Sequence, residues 1–146
     1  MQTRIDALQE NLKENSIRKI ALPNLDGLQF VDIDDIALLE ADGSYTHVFL
    51  KNAERIVVSK KIKDFEDILL KKKNFFRVHR SAIVNINFIK NYSKAESYIY
   101  LTNDKSVPVS RNKKAEFELH IHEFRVWVEL FPIHEVKSTV HEFVLF

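Results

Sequence analysis

Apolar runs in this chain are short, and turn residues cut them at close intervals. IRKIAL leads through PNLDG into LQFVDI, IALLEAD leads through Gly43 and Ser44 into YTHVFL, and KNAE leads into RIVVS. Pro23 and the Asp26-Gly27 and Asp42-Gly43 pairs carry the turn chemistry. Glycine accepts positive φ, proline presets its own φ, and aspartate bonds its neighbouring backbone. Runs of this length and composition read as strand, turn, strand, so the chain is expected to be mainly β.

Elsewhere the pattern changes. SKKIKDFEDILLKKK places Ile62, Phe65, Ile68 and Leu69 on one helical face, with Ser59 or Lys60 at the start, and predicts the clearest helix. FFRVHRSAIVN, residues 75–85, reads as a strand whose flanks alternate, with the polar Arg77, His79 and Arg80 in its middle, and INFIKNYSK reads as a short helical turn or loop. SYIYLTNDKSVPVS predicts a hairpin turning at Asn103-Asp104-Lys105, with Pro108 pointing to an edge position. RNKKAEFELHIHEF predicts a second helix capped by Ser110, and the stretch from Arg125 onward a last hairpin around Pro132. Residues 2–13 carry Ile5, Leu8 and Leu12 at helical spacing, a helix too thin to fold alone and suited to a linker or a dimer contact. Internal repeats and low-complexity segments are absent from the sequence.

With 146 residues, 45% hydrophobic and 29% charged, the chain has the balance of one globular domain with appendages. No apolar run approaches the roughly 18 residues of a spanning helix, and Met1 opens no signal-peptide pattern. The lack of cysteine removes disulfide and thiol chemistry and suits a cytoplasmic address. Two glycines in all leave no glycine-rich phosphate-binding loop.

The net charge of +1 hides a strong asymmetry. Residues 1–50 hold 4 Lys/Arg against 9 Asp/Glu, residues 51–114 hold 16 against 6, and residues 115–146 hold 2 against 6. A basic middle between acidic ends points to a polyanionic partner. Lys71, Lys72 and Lys73 by themselves read as solvating a helix end, where cations also suit the dipole.

Signals for an enzyme are weak. Asp32, Asp34 and Asp35 cluster on a turn between strands, where solvated acids usually sit. His120 and His122 are two apart, so on a helix they face different ways and no third metal ligand is in register. Ser81 lies two residues from His79 without a nucleophile elbow or oxyanion loop. The expectation is a non-enzyme with no metal, no cofactor and no small-molecule substrate.

Nucleic-acid binding accounts better for the polar residues at predicted strand ends. Arg80 ends a strand, Arg111 and Asn112 follow one, and Thr46 and His47 lie beside a turn. Loops at one end of a β scaffold are where binding residues gather. Arginine offers two donors to guanine and asparagine pairs with adenine, so these positions are candidate base contacts. Lys60, Lys61, Lys113 and Lys114, at helix starts, are candidate phosphate anchors. Helix-turn-helix and zinc-finger signatures are missing.

DIALLEADGSYTHVFL, SKKIKDFEDIL, FFRVHRSAIVNINFIK and VPVSRNKK, in this order, closely resemble the LytTR DNA-binding domain of bacterial AlgR/AgrA/LytR-type regulators. The resemblance covers roughly residues 18 to 120, and its most specific marks are FRVHRSAIVN and VPVSR at this separation. It implies elongated antiparallel β-sheets with a few short helices, whose loops enter successive major grooves on one face of double-stranded DNA. It further implies the output domain of a two-component response regulator acting on imperfect direct repeats in promoters. Carried over by position, the base-reading loops fall on Thr46 or His47, on Arg80, and on Arg111 with Asn112. His79 is expected to be a hydrogen-bonded structural histidine, Tyr45 to pack or orient its loop, and Asn85 to stabilise a turn.

The organisation expected is a linker or dimer helix over residues 1–17, a LytTR-like domain over 18–122 and a C-terminal extension over 123–146. Residues 1–17 are too short to hold a receiver domain. The extension's apolar residues, from Val126 to Phe146, need burial on the domain or in a homodimer. The rival reading is a protein–protein or dimerisation module whose basic middle docks an acidic partner.

Overall fold

A computed structural model describes residues 19–130. The helix expected at residues 2–13 and the tail beyond 130 lie outside the described residues. The fold is mainly β, with antiparallel sheets and two helices. In chain order the strands are β1 (Lys19–Asn24), β2 (Gly27–Asp32), β3 (Ile36–Asp42), β4 (Tyr45–Leu50) and β5 (Arg55–Val58). Helix α1 (Ile62–Leu69) follows, then β6 (Phe75–His79), β7 (Ala82–Asn85), β8 (Ile89–Ser93), β9 (Tyr98–Leu101), β10 (Ser106–Pro108) and helix α2 (Lys114–Leu130).

The central sheet has five strands in the order β5-β4-β3-β7-β6, flanked by the β1-β2 hairpin and a three-stranded sheet in the order β10-β9-β8. Leu38 and Leu39 are successive in β3 and both fully buried. Neighbouring strand residues point to opposite faces, so this sheet is covered on both. On one side Leu39, Val48, Ile56 and Ile83 pack with Leu22 and Val31 of the hairpin and with Ile62, Phe65 and Leu69 of α1. On the other, Leu38, Phe49, Val78 and Val84 pack with Ile99, Leu101 and Val107 of the small sheet and with Phe117 of α2. Each such side chain contributes about 1.5–3 kcal/mol when fully buried.

Several expectations are met in place. The hairpins at Asp26-Gly27, Asp42-Gly43 and 102–105 form, and Pro108 lies on the edge strand β10. Gly43 takes φ +59°, which its turn requires. Others are corrected. FFRVHRSAIVN is two strands, β6 and β7, because Arg80 and Ser81 turn the chain. INFIKNYSK is a single 3-10 turn at Ile86–Phe88 followed by strand β8. Lys61 is the N-cap of α1, without a side-chain capping bond, and Ile68 is left 42% exposed.

Helix α2 runs to Leu130, so its last turns occupy the start of the hairpin expected around Pro132, and the boundary expected at 122/123 falls inside it. Neither glycine nor proline interrupts the chain from Ser110 to Phe131, and Pro132 is the first residue that disfavours helix before it. Phe117, Ile121 and Phe124, at i, i+4 and i+7, make the contact face. Phe117 meets Phe76 at a tilt and Tyr92 edge to face, at ring distances of 5.6 and 5.1 Å. The Tyr92 hydroxyl donates to Glu118 at 2.9 Å, and burial with that bond pushes its phenol up to about 12.

Asn85 ties the start of β3, the entry to β6 and the turn after β7 together. It is fully buried at the end of β7. Its Nδ2 donates to the Ile36 carbonyl at 2.8 Å, and its Oδ1 accepts from Asn74 Nδ2 at 3.1 Å and from the Asn87 amide at 3.0 Å. We expect Asn85→Ala, which strands these buried groups, to cost about 2–3 kcal/mol in urea unfolding. A loss below about 0.5 kcal/mol, the range of ordinary surface changes, would remove Asn85 from this role.

Candidate nucleic-acid interface

Strand direction decides which loops meet. β3 runs toward the Asp42-Gly43 turn, and β7 is antiparallel to it, pairing Ala82 with Glu40. The turn between β6 and β7 therefore lies at the same end, where the Ala41 amide bonds the Ser81 carbonyl at 2.8 Å. β5 is antiparallel to β4, pairing Val58 with Thr46, which brings residues 59–61 there too. The Ser110 amide donates to the Val78 carbonyl at 2.9 Å and adds the turn before α2. Residues 42–45, 59–61, 80–81 and 110–113 thus gather at one end of the central sheet, from segments far apart in sequence.

Five of the nine site candidates are exposed at this end: Arg80, Arg111, Asn112, Lys60 and Lys61. Among the described residues, none of these four exposed cations, Arg80, Arg111, Lys60 and Lys61, pairs with a carboxylate. Lys113 is half-buried, with an ion pair to Glu116 at 3.6 Å, and the Lys114 ammonium donates to the Lys94 carbonyl at 2.7 Å. His47 is half-buried, and its Nε2 meets Asp42 Oδ2 at 3.0 Å, so that nitrogen is already engaged.

Thr46 stands apart from the other candidates. It is fully buried, and its hydroxyl donates to the Lys60 carbonyl at 2.7 Å. It faces the α1 side of the sheet, like Val48, and presents no atom to a duplex in this conformation. The bond anchors the loop that carries Lys60 and Lys61, so Thr46 positions this end without lining its surface.

The opposite end of the sheet carries the lysine-rich turn after α1, but its cations are differently used. Lys72 pairs with Asp34 at 3.5 Å, Lys51 pairs with Asp35 at 3.3 Å, and Lys105 sits 4.1 Å from the centre of the Phe49 ring. The acidic cluster between β2 and β3 thus answers part of the basic segment.

The three basic residues of the β6-β7 hairpin have three different tasks. Arg77 shares the face of Phe75, and its guanidinium pairs with Glu66 of α1. The same group donates to the carbonyls of His79, at 3.3 Å, and of Arg80. His79 Nδ1 accepts from the Ser81 amide at 3.2 Å and lies 2.8 Å from the Ser81 hydroxyl, as the structural histidine expected. Arg80 alone of the three is exposed, with no side-chain hydrogen bond or ion pair among the described residues. Sequence reasoning missed Arg77 and Glu66 as supports. The signal was the parity of β6, which turns Arg77 to the buried side together with Phe75. The hairpin and the turn before α2 frame an open cleft of about 430 Å³, lined by Glu66, Arg77, His79, Arg80, Ser110, Asn112 and Lys113.

Residues 26–122 match the family model of the LytTr DNA-binding domain. The chain belongs to that family. A solved LytTr DNA-binding domain, from a putative methyl-accepting/DNA response regulator of Bacillus cereus, superimposes with a TM-score of 0.59 at 33% identity, covering 71% of this chain and 96% of that one. Two curated relatives from Paraburkholderia xenovorans, the heme-containing CO-sensing transcriptional regulators RcoM 2 and RcoM 1, are 32% and 29% identical over 92 residues. That match covers 60% of this LytTr chain and 34% of each relative, so the chain spans about a third of their length. DNA binding in transcription regulation is the family's role.

The division of labour in the hairpin is testable by stability. Arg77→Met, which leaves Glu66 and two carbonyls without their partner, is expected to cost about 1–3 kcal/mol in chemical unfolding. Arg80→Ala should stay within about 0.5 kcal/mol. Equal losses would mean that both arginines are supports.

Proposed function

We propose that this LytTr domain reads double-stranded DNA in a sequence-specific way through the loops at the β3-β4 end of the central sheet. The observation that carries the reading is the gathering there of Arg80, Arg111, Lys60 and Lys61, none paired with a carboxylate among the described residues. An ion-paired lysine must give up a partner to meet a phosphate, and these need not. Arg111 with Asn112, and Arg80, are the base readers in the major groove, with His47 joining if its bond to Asp42 opens. Lys60, Lys61, Lys113 and Lys114 hold phosphates, which fix register without reading sequence.

The role follows as the output module of a bacterial transcriptional regulator in the cytoplasm, of the response-regulator kind, acting on promoter direct repeats. Transcription regulation is also what the names of the Paraburkholderia relatives carry to this chain. Residues 1–17 serve as a linker or dimer helix, and the chain beyond α2 as an extension that packs on the domain or on a second copy.

One observation favours the rival, a protein–protein module. Leu25, Leu28 and Phe30 are exposed by 90%, 62% and 65% on the outer side of the β1-β2 hairpin. The Ser59 amide donates to the Pro23 carbonyl at 3.0 Å, so the turn that carries Leu25 adjoins the Lys60 loop, and a partner bound there would meet the edge of the basic end.

A selection against random duplexes at near-physiological salt separates them. The DNA reading predicts enrichment of two similar short elements about one helical turn apart, with affinity falling steeply as salt rises. On the enriched site Arg111→Ala should cost about 1–3 kcal/mol and on random DNA much less. Thr46→Val should leave the sequence preference unchanged. Recovery of unrelated sequences would reduce this end to a basic surface and bring the partner reading forward.

A further inference from the structure

The cleft between the β6-β7 turn and the start of α2 offers hydrogen-bond donors from two separate segments of chain. We propose that it seats one backbone phosphodiester of the bound duplex and locks the two base-reading turns into one register. The proposal rests on the DNA reading above and adds a specific ligand group and site to it.

The chemistry of the lining selects an anion. Glu66 is the cleft's carboxylate, and it is already engaged by the Arg77 guanidinium. Arg77 in turn spends further donors on the carbonyls of His79 and Arg80. That pair is therefore a nearly neutral floor. Lys113 also lines the cleft and has only a 3.6 Å contact to Glu116, with its own side chain 43% exposed. Such a pair is weak and easily exchanged for a phosphate oxygen.

His79 supplies the directional element. A backbone amide can only donate, so the bond from the Ser81 amide to Nδ1 makes Nδ1 an acceptor. The ring proton then resides on Nε2, the nitrogen without a hydrogen-bond partner among the described residues. A histidine locked by its own turn thus lines the cleft with one remaining N–H group. Ser110 can add a hydroxyl donor from the facing turn. A phosphodiester has two non-bridging oxygens and one negative charge, and it accepts such donors from both walls at once. A base edge is a poorer fit, since its amino groups would need an acceptor where the carboxylate is already taken.

Free phosphate and duplex phosphate share this chemistry, and the test distinguishes them. Duplexes of the selected site, each carrying one neutral methylphosphonate, are titrated with the wild type, with His79→Phe and with Lys113→Ala. Lys113→Ala guards against misfolding, because it disturbs only a surface pair. At one phosphate in each half-site, the neutral linkage should weaken the wild type about tenfold and the Lys113→Ala and His79→Phe proteins less than about twofold. Inorganic phosphate at millimolar concentration should leave wild-type affinity for a fixed duplex unchanged at constant ionic strength.

Neutral linkages and variants that act additively at every position would overturn the cleft while leaving DNA binding intact. Competition by inorganic phosphate would reassign the cleft to a free anion. Failure to bind any duplex would remove the DNA reading and the cleft with it.

Discussion

A sheet covered on both faces can offer a ligand only its edges and its ends. That constraint governs this molecule. Helix α1 and the β1-β2 hairpin close one face of the five-stranded sheet, and α2 with the small sheet closes the other. Leu38 and Leu39, adjacent and both without solvent contact, show how complete the cover is. Charged side chains are thereby driven to the turns, and antiparallel pairing sends alternate turns to the same end. Four connections that are distant in sequence become one surface.

The two ends of the sheet are both lysine-rich, and charge alone does not tell them apart. Pairing does. Asp34 and Asp35 engage Lys72 and Lys51 at one end, while Arg80, Arg111, Lys60 and Lys61 at the other meet no carboxylate among the described residues. Three polar contacts at this second end are supports. Thr46 holds the Lys60 loop from below, Arg77 and Glu66 brace the β6-β7 turn, and Ser81 fixes the ring of His79. Preorganised turns lose less conformational freedom on binding, and so place more of each contact in affinity.

Much of this architecture was legible in the sequence because turn chemistry is local. The Asp-Gly pairs and Pro108 act through their own backbone, and the hairpins they predict are present. Hydrophobic periodicity located α1 for the same reason. The errors have a common cause, since they depend on contacts between distant segments. FFRVHRSAIVN holds no glycine or proline to mark a break, and only the pairing of β7 with β6 and β3 makes Arg80 and Ser81 a turn. The end of α2 depends on where Phe117, Ile121 and Phe124 find a surface. At the site, positions beside predicted turns were identifiable, but burial was not. Thr46 and His47 are adjacent in sequence, yet strand alternation turns one into the core and leaves the other half-buried against Asp42.

The most direct measurement of the central claim is a residue-resolved map of backbone amide perturbation when a selected duplex is added to the isotope-labelled protein. The largest changes are expected at residues 42–45, 59–61, 79–82 and 110–114, with little at the lysine-rich turn after α1 and little on the outer side of the β1-β2 hairpin. Changes centred on residues 70–74 and 102–105 would place DNA at the opposite end of the sheet and contradict the assignment of the site.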